Sequence, residues 1–347
     1  MRFDASLIIC TYNQSEILGH ILQAVSEDLA GHNYNIQLII ADDGSKVEEV
    51  GNFLSLTAKY NNSSKCRIKY AWQEDLGFQQ AASRNNGLRL AESEVIIFID
   101  GDCIPDAGFL KAHIEAHQRN EKVICVGHRK FDHPDNLGRA DKVPLSDEFS
   151  LRERSEEQTI KNAIVSAHPW KAVHGRNFSF ARPNPTHFFE EDYQGWGCED
   201  TTFAIDLYKD GYRIVFEKEA AVTQYDDFSS SQNPYLSLSS KSIAGTIGNY
   251  LMLMRKYRND PVIFTEVAGY LGKYAVPFNF DGKDYVLSEE RKASFFGRKS
   301  GFTYEEALNL YLEAMTILEA FYSANPQLQM HPVVTSKDKK PTQEYKI

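Results

Sequence analysis

The stretch Val95-Ile96-Ile97-Phe98-Ile99-Asp100-Gly101-Asp102 decides the fold of this 347-residue chain. Its five apolar residues, rich in β-branched side chains, predict a strand buried on both faces, as in a parallel sheet. The strand ends at Asp100, and alternate residues of an extended chain share a face, so Asp100 and Asp102 point the same way. Such oxygen ligands suit Mg²⁺ or Mn²⁺. Alone, the triplet could be a solvated turn; its place after a buried strand favours a metal site.

The residues before this strand alternate between two hydrophobic periodicities. Apolar runs predict strands at 6–10, 36–41, 67–72 and 95–99, and apolar residues at helical spacing predict helices at 15–29, 47–60 and 79–91. This order implies a mostly parallel sheet with helices on both faces, in which ligands bind beyond the carboxyl ends of the strands. The polar clusters at three strand ends should therefore converge on one crevice: Thr11-Tyr12-Asn13, Asp42-Asp43-Gly44-Ser45 and Asp100-Gly101-Asp102.

A second acidic segment, Gly195-Trp196-Gly197-Cys198-Glu199-Asp200, stands well apart from the first. Two glycines around a tryptophan indicate a tight loop with close backbone approach. Glu199 and Asp200 begin a helix predicted at 199–210. Acids are favoured at a helix N-terminus for electrostatic reasons alone, but that explains neither the glycines nor the tryptophan. We therefore expect a second, separate acidic site.

Taken together in this order, the segments resemble a GT-A type glycosyltransferase of the inverting family 2 kind. The C-terminal half is similar to the galactosyltransferase group. The resemblance covers roughly residues 5–227 and rests on 7–13, 39–45, 77–87 with Arg84-Asn85, 100–102, 175–179 and 195–200.

The resemblance implies a Rossmann-like, mostly parallel sheet flanked by helices, followed by a C-terminal helical extension. The catalytic domain would be 1–227, divided into a nucleotide-sugar-binding half (1–105) and an acceptor-binding half (106–227). The helical extension would be 228–335. The lysine-rich end, 336–347, is expected to be a disordered tail.

The resemblance also implies a UDP-sugar site. The residues expected to line it are Thr11, Tyr12, Asn13, Asp43, Arg84, Asn85, Asp100, Gly101, Asp102, Gly175, Asn177 and Trp196. Asp43 would hydrogen-bond the base. Arg84 and Asn85 belong to the segment that reaches the diphosphate or sugar in relatives. Asp102 with Asp100 would coordinate Mn²⁺ or Mg²⁺.

For catalysis, the resemblance assigns an acceptor hydroxyl to Glu199 and the general base to Asp200. A divalent cation neutralises the charge that develops on a leaving nucleoside diphosphate. A carboxylate on the opposite face of the anomeric carbon can then activate the acceptor. In-line displacement inverts the anomeric configuration.

The chain departs from the resemblance at one expected metal ligand. Relatives usually have a metal-binding His shortly after the strand that follows the Trp-Gly motif, and Gln224 stands at that position here. Gln224, Asp226 or Asp227 could complete the metal shell, or Asp102 could hold the metal with phosphates and water. The third ligand is left open.

The composition of the chain limits the classes of partner that it is expected to bind. A net charge of −10 argues against general nucleic-acid binding. Five scattered cysteines without a CxxC pair predict reduced thiols in a cytoplasmic protein. The run at 251–254, followed by basic residues 255–258, leaves peripheral contact with the inner face of the membrane open, but is more typical of a buried helix face. The C-terminal helices could also form a homodimer.

The acceptor would be a saccharide, a lipid-linked molecule or a peptide, in polysaccharide or glycoconjugate synthesis. Galactose, N-acetylgalactosamine, glucose and N-acetylglucosamine all remain open as the donor sugar. Three alternatives stay open: a retaining transferase, a nucleotidyltransferase, or a nucleotide-binding scaffold that lost activity. The second is disfavoured because residues 10–20 contain one glycine and no Lys or Arg to cradle phosphate.

Overall fold

The computed structural model describes residues 2–61, 65–139, 141–182, 187–225, 239–298 and 300–335. Asp226, Asp227 and the tail predicted at 336–347 lie outside these residues. The chain divides into two compact units: the first spans Met1–Glu191 and Glu199–Ser230, and the second spans Asp192–Cys198 and Ser231–Ile347.

The first unit alternates strands and helices. Its strands are β1 (Ala5–Thr11), β2 (Ile36–Asp42), β3 (Cys66–Trp72), β4 (Val95–Asp100), β5 (Cys103–Pro105), β6 (Val123–Asp132), β7 (Asn177–Ala181) and β8 (Arg213–Tyr225). Its helices are α1 (Ser15–Ala30), α2 (Val47–Tyr60), α3 (Gln80–Leu90), α4 (Phe109–Arg119), α5 (Asp147–Ile164) and α6 (Glu199–Lys209), with short 3-10 turns at Pro134–Asn136 and Pro169–Ala172. The elements predicted up to Asp100 are confirmed to within one residue at each end.

The sheet of this unit has the order β3-β2-β1-β4-β7-β6-β8-β5. The strands β3, β2, β1 and β4 are parallel. By contrast, β7 runs antiparallel to β4 and β6. The predicted mostly parallel sheet is confirmed, with antiparallel pairing in its second half.

The central strand β1 shows why the sheet forms. Its residues are all buried. Leu7 and Ile9 belong to a core cluster with Leu18 and Leu22 of α1. On the opposite face, a Cβ at Gly87 of α3 would lie 2.5 Å from Ile8 Cγ2, so glycine lets this helix pack closely. Burying each such aliphatic side chain stabilises the fold by about 1.5–3 kcal/mol.

The second unit is mainly helical. Its elements are α7 (Ser240–Lys256), α8 (Pro261–Ala275), β9 (Phe278–Phe280), β10 (Tyr285–Leu287), α9 (Glu289–Phe296), α10 (Tyr304–Ala324) and α11 (Pro332–Thr335). Helices α7, α8 and α10 pack together. Thr303 and Glu306 form a capping box that begins α10.

The apolar run in α7 faces the interior of this unit. Leu251, Met252, Leu253 and Met254 are buried, which confirms the prediction of a buried helix face. In the part of the chain that the structure describes, no helix is long and apolar enough to span a membrane.

Candidate active site

The polar strand ends meet at one edge of the sheet. Thr11 pairs with Asp42 across β1 and β2, and Cys10 pairs with Asp100 across β1 and β4. Because these strands are parallel, the residues that follow them line one crevice. The predicted convergence is confirmed.

Asn13, in the loop that follows β1, forms hydrogen bonds to the loop that follows β2. Its backbone N–H donates to Ser45 Oγ at 2.8 Å, and its Oδ1 accepts from the N–H of Lys46 at 2.9 Å. Its φ of 53° lies in the left-handed region, which asparagine tolerates. The Tyr12 hydroxyl donates to Asp75 Oδ2 at 3.0 Å, and Tyr12 is 44% exposed. The Tyr12 ring is therefore accessible to a ligand, while the Asn13 side chain holds the two loops together.

Asp43 sits at the base of the same crevice. Gln73 Nε2 donates to its Oδ1 at 2.6 Å, and the N–H of Gln79 donates to its Oδ2 at 2.9 Å. Burial raises the pKa of Asp43 above its ordinary value. Each oxygen can accept a further hydrogen bond, so the carboxyl is fixed but can still accept from a nucleobase N–H. Sequence reasoning missed Gln73 and Gln79.

Arg84 joins the two acidic segments. Its Nη2 donates to Asp100 Oδ1 and its Nη1 donates to Glu199 Oε1, both at 3.0 Å. The Arg84 side chain is 1% exposed. A Cβ at Gly175 would lie 2.0 Å from Nη2, so only glycine leaves room for the guanidinium. The guanidinium is thus buried between two carboxylates, and contact of the segment around Arg84 with the diphosphate or sugar stays a prediction.

Glu199 and Asp200 begin α6 but differ in environment. The Glu199 side chain is 9% exposed, and burial together with the neighbouring Asp200 raises its pKa to about 7. Asp200 is half-buried; its Oδ2 accepts from the N–H of Gly175 at 3.1 Å and its Oδ1 accepts from the N–H of Thr201 at 2.6 Å. Two backbone donors thus orient a carboxylate that remains accessible, as a general base requires.

Gln224 contacts Asp102 through its amide nitrogen. Nε2 donates to Asp102 Oδ2 at 2.7 Å, while Oε1 accepts from Arg129 Nη1 at 2.6 Å. Arginine can only donate, so Arg129 requires the amide oxygen, and the NH₂ group must face Asp102. An amide nitrogen is no metal ligand, so in this orientation Gln224 turns no donor atom toward Asp102, and its place in the metal shell stays a prediction.

Arg129 is itself held by Glu156 of α5. Its Nε contacts both carboxylate oxygens of Glu156 at 3.0 Å, and its Nη2 donates to Oε2. Arg176 Nη2 donates to Glu156 Oε1 at 2.9 Å. Two arginines thus share one glutamate. Sequence reasoning missed Arg129 and Glu156, which lie far from every motif.

The side chains near Asp102 can supply part of the ligand shell of a hard divalent cation. In the described ranges, no three His, Cys, Asp or Glu side chains cluster as a metal site. Asp100 already accepts from Arg84 and from Gln80 Nε2, the latter at 2.9 Å. Both of these bonds end on Asp100 Oδ1, whereas Asp102 accepts one bond on each oxygen, from Gln224 and from the Cys103 thiol, so both carboxylates keep lone pairs for a cation. Mg²⁺ commonly takes one or two carboxylates and completes its shell with phosphate oxygens and water, so these residues fit a cation that arrives with a diphosphate.

Two residues that were predicted to bind the donor have buried side chains. Asn85 is buried and exchanges hydrogen bonds with the backbone of Phe189, at 2.8 and 2.9 Å. Asn177 is buried and donates to the carbonyls of His128 and Ala220 at 3.0 and 2.9 Å. Both amides hold the backbone in place, and the expected contribution of these two residues to donor binding stays a prediction.

Gly101 and Gly175 allow close approach within the crevice. A Cβ at Gly101 would lie 2.8 Å from the carbonyl oxygen of Cys10.

Thr11 Oγ1 is buried and has no hydrogen-bond partner among the described residues. Trp196 belongs to the second unit and is 62% exposed.

Comparison with known proteins shows which family this sequence matches. The sequence model of the family described as "Glycosyl transferase family 2" matches residues 6–178. Chondroitin synthase from Pasteurella multocida (strain Pm70) is 27% identical over 237 residues, which cover 60% of this chain and 24% of that protein. Hyaluronan synthase from Pasteurella multocida is 28% identical over 229 residues, covering 59% of this chain and 23% of that protein. The chain thus spans about a quarter of the length of these relatives.

Among solved structures, S. aureus TarS 1-349 in complex with UDP-GlcNAc is similar to this chain. The TM-score is 0.53 at 16% identity, over 93% of this chain and 84% of that one. At this identity the likeness bears on the fold alone, and it agrees with the predicted GT-A architecture. We conclude that the chain belongs to glycosyl transferase family 2 and has the GT-A fold.

Proposed function

We propose that this chain transfers a hexose or N-acetylhexosamine from a UDP-sugar to an acceptor hydroxyl, with inversion and with a bound divalent cation. The observation that carries the proposal is the double ion pair of Arg84. One guanidinium binds Asp100, from the strand-end triplet, and Glu199, which adjoins Asp200. The shared guanidinium brings Asp100 and Glu199 together, which supports one site for donor and acceptor.

In the proposed reaction, Tyr12 and Asp43 bind the uridine, and Asp100 contacts the ribose or sugar. Asp200 takes the proton from the acceptor hydroxyl as its oxygen attacks the anomeric carbon. The bond between that carbon and the diphosphate breaks, and UDP leaves. A Mn²⁺ or Mg²⁺ ion on Asp102 would neutralise charge on the UDP.

Arg84 organises the acidic groups of this crevice. Its single charge cannot neutralise Asp100, Glu199 and Asp200 together, which agrees with the raised pKa of Glu199. Glu199 would accept or donate a hydrogen bond to the acceptor according to its protonation state. Trp196 would form the wall against which an acceptor sugar packs.

The names of the relatives guide the choice of substrate. Chondroitin synthase and hyaluronan synthase point to a saccharide acceptor and to UDP-sugar donors, and the TarS complex contains UDP-GlcNAc. We propose a saccharide acceptor for this chain on that basis. Dimerisation through the C-terminal helices stays a prediction.

The test is a transfer assay with four donors: UDP-glucose, UDP-galactose and their N-acetylated forms. Chondroitin and hyaluronan oligosaccharides serve as acceptor probes, with Mn²⁺ present, and UDP release and the glycosylated product are measured. We expect one donor to release UDP at a rate that Asp200→Asn lowers at least about 100-fold. NMR of the product should show an inverted anomeric centre. UDP release from none of the donors would contradict the proposal.

A further inference from the structure

Asn249 lies in the middle of α7, on a face that lacks bulky side chains. Gly245 and Gly248 share this face, because residues three and four apart are neighbours on a helix. A Cβ at Gly248 would lie 2.5 Å from the His331 ring, and a Cβ at Gly245 would lie 3.2 Å from the Gln194 carbonyl oxygen. This face is therefore shaped to admit the imidazole on one side and the backbone of 194–197 on the other.

The Asn249 amide, which is fully buried, bonds to the backbone of that loop. Its Nδ2 donates to the carbonyl oxygens of Gln194 at 3.1 Å, Trp196 at 3.4 Å and Gly197 at 3.0 Å. Its Oδ1 accepts from the N–H of Gln194 at 3.0 Å and from His331 Nε2 at 2.9 Å. Both lone pairs of the amide oxygen are used, and its two N–H donors are shared among three carbonyls.

His331 sets the direction of this amide. Its Nδ1 accepts from the N–H of Val333 at 3.2 Å, so the ring proton is on Nε2 and points at Asn249 Oδ1. The His331 ring is fully buried, and burial lowers its pKa to about 3, so the ring stays neutral near pH 7. Because Nε2 must meet an acceptor, the amide oxygen faces His331 and the NH₂ group faces the loop.

The loop needs an external restraint of this kind. Gly195, Gly197 and Cys198 have φ values of 72°, 99° and 80°. The left-handed region costs free energy for a residue with a Cβ, and such conformations persist where surrounding contacts enforce them. Trp196 stands in the middle of this segment with its side chain exposed. Three residues further along the chain, α6 begins at Glu199.

We propose that Asn249 and His331 form a buried clamp that fixes the backbone of 194–197 and so sets the position of Trp196 for the acceptor. Asn249 is then a positioning residue for a loop of its own unit. The proposal rests on the function proposed above, in which Trp196 packs against the acceptor sugar.

The test compares two asparagine-to-aspartate variants of the full chain. Asn249→Asp keeps an acceptor for Gln194 and His331 but loses the NH₂ group that binds the three carbonyls. Asn325→Asp is the matched control. It is also buried in the second unit, where its Nδ2 donates to the carbonyls of Lys283 and Phe321 at 2.8 and 3.0 Å.

Three readouts are measured. Hydrogen exchange in a peptide covering 192–198 should become about tenfold faster in Asn249→Asp and stay unchanged in Asn325→Asp. The KM for the chondroitin or hyaluronan oligosaccharide should rise about tenfold in Asn249→Asp alone, with the KM for the UDP-sugar unchanged. The Kd of UDP with Mn²⁺ should be unaffected in both variants.

A rescue experiment separates the clamp from general stability. His331→Gln retains an N–H donor near the position of Nε2 and should keep exchange at 192–198 slow, whereas His331→Ala should accelerate it. Exchange at 192–198 that is unchanged by Asn249→Asp, or equally accelerated by Asn325→Asp, would overturn the clamp. Absence of UDP binding by the wild-type chain would instead overturn the proposed function, because the exchange readout requires no substrate.

Discussion

Replacing Arg84 with methionine should destabilise the first unit by an amount that grows with pH. The guanidinium is 1% exposed and binds Glu199, whose side chain is 9% exposed. Removing one partner of a buried ion pair leaves the other charge uncompensated, at a cost of about 3–5 kcal/mol. The Asp100 side chain is 29% exposed, so water screens its charge and Asp100 contributes less to the loss of stability.

The pH dependence follows from the pKa of Glu199. Its folded-state value is about 7, above the ordinary 4.5, so Glu199 contributes stability below pH 4.5 and loses it as pH rises through 7. Without Arg84 that pKa rises further, and the ionised carboxylate becomes costlier. At pH 5.5 Glu199 is already largely protonated, so the Arg84→Met cost should fall to about 1–3 kcal/mol, the loss of hydrogen bonds alone.

The free energy of unfolding would be measured by urea denaturation at pH 5.5, 7.0 and 8.5. Arg182→Met is the matched control, because Arg182 is also buried in the first unit but donates to the Leu88 carbonyl and has no acidic partner among the described residues. Its cost should not change over this range. An Arg84→Met cost below about 1 kcal/mol, or one that is equal at all three pH values, would refute the reasoning.

Three further changes test single groups of the crevice. Asp200→Asn should lower kcat by at least about 100-fold while the Kd of UDP stays constant; a parallel loss of UDP affinity in a titration would contradict a role as base. Gln224→His should increase Mn²⁺ affinity in the UDP complex about tenfold, because imidazole nitrogen replaces the NH₂ group at Asp102; unchanged Mn²⁺ titration would show that this position does not reach the metal. Gly175→Ala should cost about 1–3 kcal/mol in thermal unfolding, because its Cβ would collide with the Arg84 guanidinium; an unchanged melting temperature would exclude that contact.

The early elements and the position of the crevice were predictable for a simple physical reason. The strands β1, β2 and β4 contain the unbroken apolar runs 7–10, 38–41 and 95–99, and each run is followed by polar residues, so the strand ends are visible in the sequence. Parallel strands then bring those ends to one edge. The strand β6 was not predicted, because the charged and aromatic residues at 128–132 obscure its apolar start.

The direction of individual side chains could not be read from the sequence. Arg84 and Asn85 are neighbours in one motif, yet one binds two carboxylates and the other binds backbone at Phe189. That outcome depends on residues more than 100 positions away in the chain. The orientation of Gln224 likewise depends on Arg129, which no motif contains.

The sequence of α7 contains a local indication of the role of Asn249, which sequence reasoning missed. Gly245, Gly248 and Asn249 are small or polar residues on one face of a helix whose buried residues are mostly apolar. A buried amide in such a place requires partners for both its donors and its acceptor. Which partners it finds could be learned only from the folded chain, where 194–197 and His331 supply them.

The central claim is that the crevice at the ends of β1, β2 and β4 binds UDP together with a divalent cation on Asp102. Calorimetric titration of UDP into the wild-type chain and into Asp102→Asn, each with Mn²⁺ or with EDTA, tests it most directly. We predict that Mn²⁺ tightens UDP binding to the wild type at least about tenfold and that Asp102→Asn removes this difference while retaining the weaker, metal-free affinity. No UDP binding by the wild type, or an undiminished Mn²⁺ effect in Asp102→Asn, would contradict the claim.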